Sequence, residues 1–230
     1  MADTAKQPAT ARRDPTGHVA AHRSPEPDAP RPGSTAPEAP APGSTAARPP
    51  EVLSTARGAT VWFTGLPSSG KSTLARAVAA RVSAGRVEVL DGDEVRRTLS
   101  AGLGFSRTDR EINIERIGFV ADLLARNGVL VLAAVISPYR DARARVRDRH
   151  RADGAPFFEV HVATPVERCA ARDVKGLYAR QRAGELTGLT GVDDVYEEPA
   201  EPELRLGTED DVARTADRVV ALLVDAGVLR

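Results

Sequence analysis

The sequence predicts an α/β fold built on a mostly parallel sheet with helices on both faces. Three features carry that expectation. Short apolar runs alternate with helix-period segments from about residue 58 onward. The runs are apolar throughout, as strands buried on both faces are. The first run also passes through a glycine-rich string straight into a helical segment. Such a βαβα order closes as parallel pairs joined by crossovers.

Taken in order, residues 59–64, 87–90, 129–136 and 157–162 read as the buried strands, with 204–206 (Leu-Arg-Leu) as a fifth, short one. Helical stretches fall near 71–83, 93–100, 108–127 and 140–151. The third presents Ile117, Val120 and Leu124 on one face and ends at Asn127-Gly128, a C-cap signal. A last helix is expected from Thr208, with Glu209, Asp210 and Asp211 in the first turn, where the helix dipole favours negative charge. Val212, Ala216, Val219 and Leu223 would be its apolar stripe.

Eleven of the 17 prolines precede residue 51, and Pro-Gly-Ser-Thr-Ala occurs at both 32–36 and 42–46. Almost no large apolar side chains accompany them, so burial cannot offset the entropy of ordering this stretch. Residues 1–54 are therefore expected to be a disordered Pro/Ala/Ser-rich tail, and 55–230 the folded domain. The 32 basic and 32 acidic residues cancel, which argues against a general nucleic-acid binder. No apolar run approaches the roughly 18 residues of a membrane span. The single cysteine, Cys169, leaves no disulfide framework, which suits a reducing compartment, and the cytoplasm is the expected location.

The string Gly65-Leu66-Pro67-Ser68-Ser69-Gly70-Lys71-Ser72 fits G-x-x-x-x-G-K-[ST] between a strand and a helix. Its glycines permit backbone angles that a Cβ would forbid, so the loop's N–H groups can surround a phosphate. Lys71 would hold the β- and γ-phosphates of ATP, and Ser72 would hold Mg²⁺. The fold thus sharpens to a P-loop NTPase-type three-layer sandwich. Asp91-Gly92-Asp93 follows the second strand, and ligands of such sheets sit outside the strands' carboxyl ends. One carboxylate could help hold Mg²⁺ and another accept a proton from an attacking hydroxyl, although the string equally suits helix capping. Ile136-Ser137-Pro138-Tyr139-Arg140 closes the third strand with a polar and cationic cluster that suits an anion; Ser137 reads as a capped strand end rather than a nucleophile. Residues 173–195, with Lys175, Arg180, Arg182 and four glycines, read as a lid that excludes water.

At this point the chain resembles the adenylylsulfate (APS) kinases. The resemblance rests on Gly65 to Ala75 (through Thr73), Leu90-Asp-Gly-Asp-Glu-Val-Arg96, Gly102-Leu-Gly-Phe-Ser-Arg107 and Asp109-Arg-Glu-Ile-Asn-Ile114. It continues through Ile136-Ser-Pro-Tyr-Arg140, Asp173-Val-Lys-Gly-Leu-Tyr178, Arg182-Ala-Gly-Glu185 and Thr190-Gly-Val-Asp-Asp194. It implies an ATP- and Mg²⁺-dependent transfer of phosphate to the ribose 3′-hydroxyl of APS, giving PAPS, and commonly a homodimer. It implies that Asp93 lies near that hydroxyl and Mg²⁺, with Asp91 in support. Arg96, Arg110 and Asn113 would hold the phosphosulfate and ribose, and Phe105 would stack on the APS adenine. Ile136 and Ser137 would line the same pocket, Lys175 would be a lid contact, and Arg172 would meet the ATP adenine.

Three departures stand out. Leu189 occupies the place of a usual phenylalanine in Gly188-Leu-Thr-Gly191; stacking is worth about 1–3 kcal/mol per base, so its loss is expected to weaken APS binding about fivefold. Val174 replaces a usual proline, and the tail replaces a basic segment before the first strand. Two other readings remain at this stage: a kinase of the same fold acting on another small hydroxyl acceptor, and a nucleotide-binding partner whose tail reaches another protein such as a sulfurylase. Intact Lys71, Ser72 and Asp93 count against the second.

Overall fold

The computed structural model describes residues 53–207 and 211–230, so nearly all of the expected tail lies outside the described residues. Its last two positions do not: Leu53–Ser54 form a short strand, β1. The chain continues through β2 (Ala59–Thr64), α1 (Lys71–Ala79), β3 (Val82–Ala84), β4 (Val87–Asp91), α2 (Gly92–Arg97) and α3 (Arg107–Ala125). Then follow β5 (Leu130–Ala134), α4 (Arg140–Ala152), β6 (Phe157–Val162), α5 (Val166–Arg172), α6 (Leu177–Arg182), β7 (Leu204–Leu206) and α7 (Val212–Asp225).

The main sheet has the order β4-β5-β2-β6-β7 and all its pairings are parallel. Every residue of β2 is buried, as expected of a central strand covered on both faces. The period of two divides its side chains: Val61 and Phe63 pack with Leu74 and Val78 of α1 and Val219 and Leu223 of α7. Trp62 packs on the opposite face with Ile114 and Ile117 of α3 and Val146 of α4. Because the strands are parallel, Gly65, the β4–α2 junction and Ile136 all emerge at one edge of the sheet.

Some boundaries differ from the sequence expectation, each for a local reason. Ser106 caps α3, its hydroxyl accepting from Asp109 N–H at 3.1 Å, so the helix begins at Arg107. The last helix begins at Val212 rather than Thr208, because the Asp211 carboxylate accepts from Arg214 N–H at 2.7 Å and so occupies the N-cap. Residues 208–210 lie outside the described residues. Val212 faces outward, while Ala216, Val219 and Leu223 form the buried stripe. The two-stranded parallel sheet of β1 and β3 was not foreseen; it carries no periodic signal and is completed by Ser54 N–H donating to Arg230 O at 2.9 Å.

Candidate active site

A cleft of about 960 Å³ opens at the carboxyl edge of the sheet. Residues 67–73 of the loop before α1 form one wall. Gly65 has φ +152, and a Cβ there would lie 2.6 Å from Val162 O, so the turn out of β2 admits only glycine. Gly70, in the left-handed region, caps α1 and aims the helix N-terminus at the cleft. The buried Lys71 Nζ donates to Gly65 O (3.0 Å), Leu66 O (2.6 Å) and Ser69 Oγ (3.2 Å). Burial pushes its ammonium down to about 8, against the pull of the Cys169 thiol and Asp93. Arg172 stands on the shoulder of the loop, donating to Ser69 O at 3.3 Å.

The opposite wall begins at β4. The Asp91 carboxylate caps α2 by accepting from Asp93 N–H at 3.0 Å, so the capping expectation holds for Asp91. Burial pushes its carboxyl up, but hydrogen bonds from the Ser72 hydroxyl and Asp93 N–H, with Arg76 and Lys175 nearby, hold it below the usual carboxylate range. Asp93 is left free of capping and ion-pairs with Lys175 from the lid. Beyond it, Phe105 is exposed, with the Arg96 guanidinium 4.8 Å and the Arg110 guanidinium 5.7 Å from its ring centroid. Arg96 donates to Gly104 O at 2.6 Å; burial and the adjacent Arg110 charge lower its guanidinium. The Asn113 side chain lines the cleft and is buried, with its Oδ1 accepting no hydrogen bond among the described residues.

Ile136 and Ser137 also line the cleft. The Ser137 hydroxyl accepts from Trp62 Nε1 at 3.0 Å and donates to Thr64 Oγ1 at 2.9 Å, so its proton is directed at another hydroxyl and not at a general base. The cationic end of that string turns elsewhere: Arg140 donates to Glu198 O and its N–H to the Glu197 carboxylate, while Tyr139 is buried.

The lid is more ordered than its composition suggests, since it contains α6. Leu189 does not line the cleft. It is buried with Cys169 and Tyr178 against Leu66. Its neighbours do reach the site, because Arg110 donates to Gly188 O and to Thr190 Oγ1. The residues that sequence reasoning missed are those holding the walls. Thr164 donates to Ser69 O at 2.9 Å, and Arg143 donates to Ser137 O at 2.7 Å while paired with Glu159 at 2.6 Å. No motif marks either: Thr164 reaches Ser69 across 95 residues of chain, and Arg143, six residues from Ser137, is one of several arginines on α4.

A phosphate cradle facing a carboxylate and a ring flanked by guanidinium groups across one cleft defines a P-loop phosphotransferase. The chain belongs to the adenylylsulphate kinase family, whose model matches residues 57–207. It is 49% identical over 176 residues to the adenylyl-sulfate kinase of Picosynechococcus sp., spanning 75% of this chain and 97% of the relative. The adenylyl-sulfate kinase of Myxococcus xanthus is 49% identical over 179 residues, 77% of this chain and 97% of the relative. The solved Mycobacterium tuberculosis APS kinase CysC, in complex with AMPPNP and APS, superposes with a TM-score of 0.71 at 47% identity, covering 73% of this chain and 98% of that one. Among the described residues, no helix is long and apolar enough to cross a membrane.

Proposed function

We propose that the protein transfers the γ-phosphoryl group of ATP to the ribose 3′-hydroxyl of APS, releasing ADP and PAPS. The observation that carries this reading is the pairing of walls: Lys71 and the loop N–H groups on one side, and Phe105, Arg96, Arg110 and the unpartnered Asn113 Oδ1 on the other, with Asp93 between them. The loop takes the ATP phosphates, and Arg172 lies beside it, where an adenine would sit. Phe105 offers the APS base a stacking face, while Arg96 and Arg110 meet its phosphosulfate.

Asp93 accepts the proton of the 3′-hydroxyl as the oxygen–γ-phosphorus bond forms and the bond to the β-bridging oxygen breaks, the electron pair leaving with ADP. Lys175, from the lid, brings a cation to that carboxylate. Mg²⁺ suits the donor set, since the Ser72 hydroxyl and the ionised Asp91, with Asp93, are hard oxygen ligands at the mouth of the phosphate loop. When bound, it supplies charge neutralisation at the β- and γ-oxygens. A homodimer and a cytoplasmic location belong to the same proposal and rest on the family resemblance and the single cysteine.

Incubation with Mg·ATP and APS, with the nucleotides resolved, tests the reading. ADP and PAPS are expected in equal amounts, and Asp93→Ala is expected to abolish both. ATP binding without PAPS at high APS would overturn it and direct the search to another hydroxyl acceptor.

A further inference from the structure

Arg110 is buried, and its direction is set from outside its own helix. Nε donates to Phe105 O at 2.8 Å, Nη1 to Thr190 Oγ1 at 2.8 Å and Nη2 to Gly188 O at 2.7 Å, with the Asp194 carboxylate 3.4 Å from Nη2. Three of its five N–H groups are therefore engaged, two of them by one turn of the lid. That turn belongs to no helix or sheet strand. Backbone bonds close residues 189–194, with Leu189 O accepting from Val192, Asp193 and Asp194 N–H and Gly191 N–H donating to Asp194 O at 2.7 Å, but something else must hold the Gly188 and Leu189 N–H groups.

The Asp193 carboxylate does so. Its Oδ2 accepts from Gly188 N–H at 2.9 Å and its Oδ1 from Leu189 N–H at 2.6 Å. Leu189 N–H and Gly188 C=O belong to the same planar trans peptide, where they point in opposite directions. Anchoring the N–H on Asp193 therefore aims the carbonyl away from Asp193 and at Arg110. Asp193 does not line the cleft; it lines a separate pocket with Leu66, His161 and Tyr196.

We infer that Asp193 is the positioning residue for Arg110, acting through the Gly188–Leu189 peptide plane. The inference rests on the proposed placement of APS against Arg110. Asparagine at 193 keeps one acceptor but turns a donor toward one of the two N–H groups, freeing the peptide to tilt.

Steady-state kinetics on Asp193→Asn, Arg110→Ala and the double variant separate the possibilities. Asp193→Asn is expected to raise the KM for APS about tenfold, the loss of one charge-assisted hydrogen bond, and to leave the KM for ATP unchanged. In the Arg110→Ala background the same substitution is expected to change the KM for APS by less than about twofold, since a residue acting through Arg110 has nothing left to position. An unchanged KM for APS in Asp193→Asn, or the same tenfold factor in both backgrounds, would overturn the inference while leaving the substrate reading intact. No effect of Arg110→Ala itself would remove APS from this wall, and the inference with it. If Asp193→Asn is too unstable for kinetics, Asp193→Ser measured calorimetrically in the cold carries the same expectation for APS and for ATP.

Discussion

The Tyr178 phenol donates a hydrogen bond to the Pro67 carbonyl at 3.0 Å, tying α6 of the lid to the phosphate loop 111 residues earlier in the chain. Burial, with the neighbouring Cys169 thiol, holds the phenol far above its ordinary range, so it remains a donor at every working pH. One bond between buried groups thus ties the root of the lid to the loop.

Tyr178→Phe is expected to cost about 1–2 kcal/mol of stability, because it leaves the Pro67 carbonyl unpaired under a side chain that still fills its space. Urea unfolding with and without ATP checks this. A KM for ATP that rises along with the loss of stability would show that the bond also shapes the nucleotide site.

Lys71 makes nucleotide binding depend on protons. Burial holds its ammonium at about 8 in the free protein, where its partners are two carbonyls and a hydroxyl. A polyphosphate brought against it favours the charged form and raises that value. Binding therefore takes up protons above pH 8, and ATP affinity is expected to fall as pH rises through that value. Calorimetry in buffers of different ionisation enthalpy, near about pH 8.5, should show net proton uptake. Lys71→Met should abolish it.

Much of this site was legible in the sequence because its residues come in short strings that local geometry fixes. The phosphate loop is placed by a strand, two glycines and a helix, and Asp91 and Asp93 by the end of β4. Arg110 and Asn113, three apart on α3, share a face whatever the tertiary context. Contacts that cross the fold were not legible. Nothing local announces that Thr164 braces the Ser69 carbonyl, that Tyr178 reaches Pro67, or that Arg140 turns to Glu197 and Glu198 instead of the cleft. Leu189 shows the limit of reading by position: the turn around it reaches Arg110, yet its side chain packs inward with Cys169 and Tyr178.

That packing changes what Leu189→Phe should do. A ring in a cluster where leucine is already buried is overpacked, at a cost of about 1–3 kcal/mol. The melting temperature is therefore expected to fall with no gain in APS affinity. A lower KM for APS at unchanged melting temperature would mean that the larger ring leaves the cluster for the cleft.

The acid limit of the fold is expected to lie with His161, at the end of β6. Its ring is buried against Tyr196, with centroids 5.8 Å apart, and its Nδ1 has no hydrogen-bond partner among the described residues. Burial lowers it to about 4, against the Glu198 charge and with help from Arg205 and Arg143. The unfolded chain titrates near 6.5, so between 6.5 and about 4 the unfolded state binds the extra proton. Stability is then level above 6.5 and declines as pH falls toward 4. His150 adds to the decline in the same sense, its ring buried between Thr60 Oγ1 and Val146 O and its value lowered by that burial. Urea unfolding across this range should show the decline, and His161→Gln should flatten most of it, since an uncharged amide has no proton to gain. A slope unchanged in that variant would assign the acid sensitivity to His150 or to the carboxylate pairs.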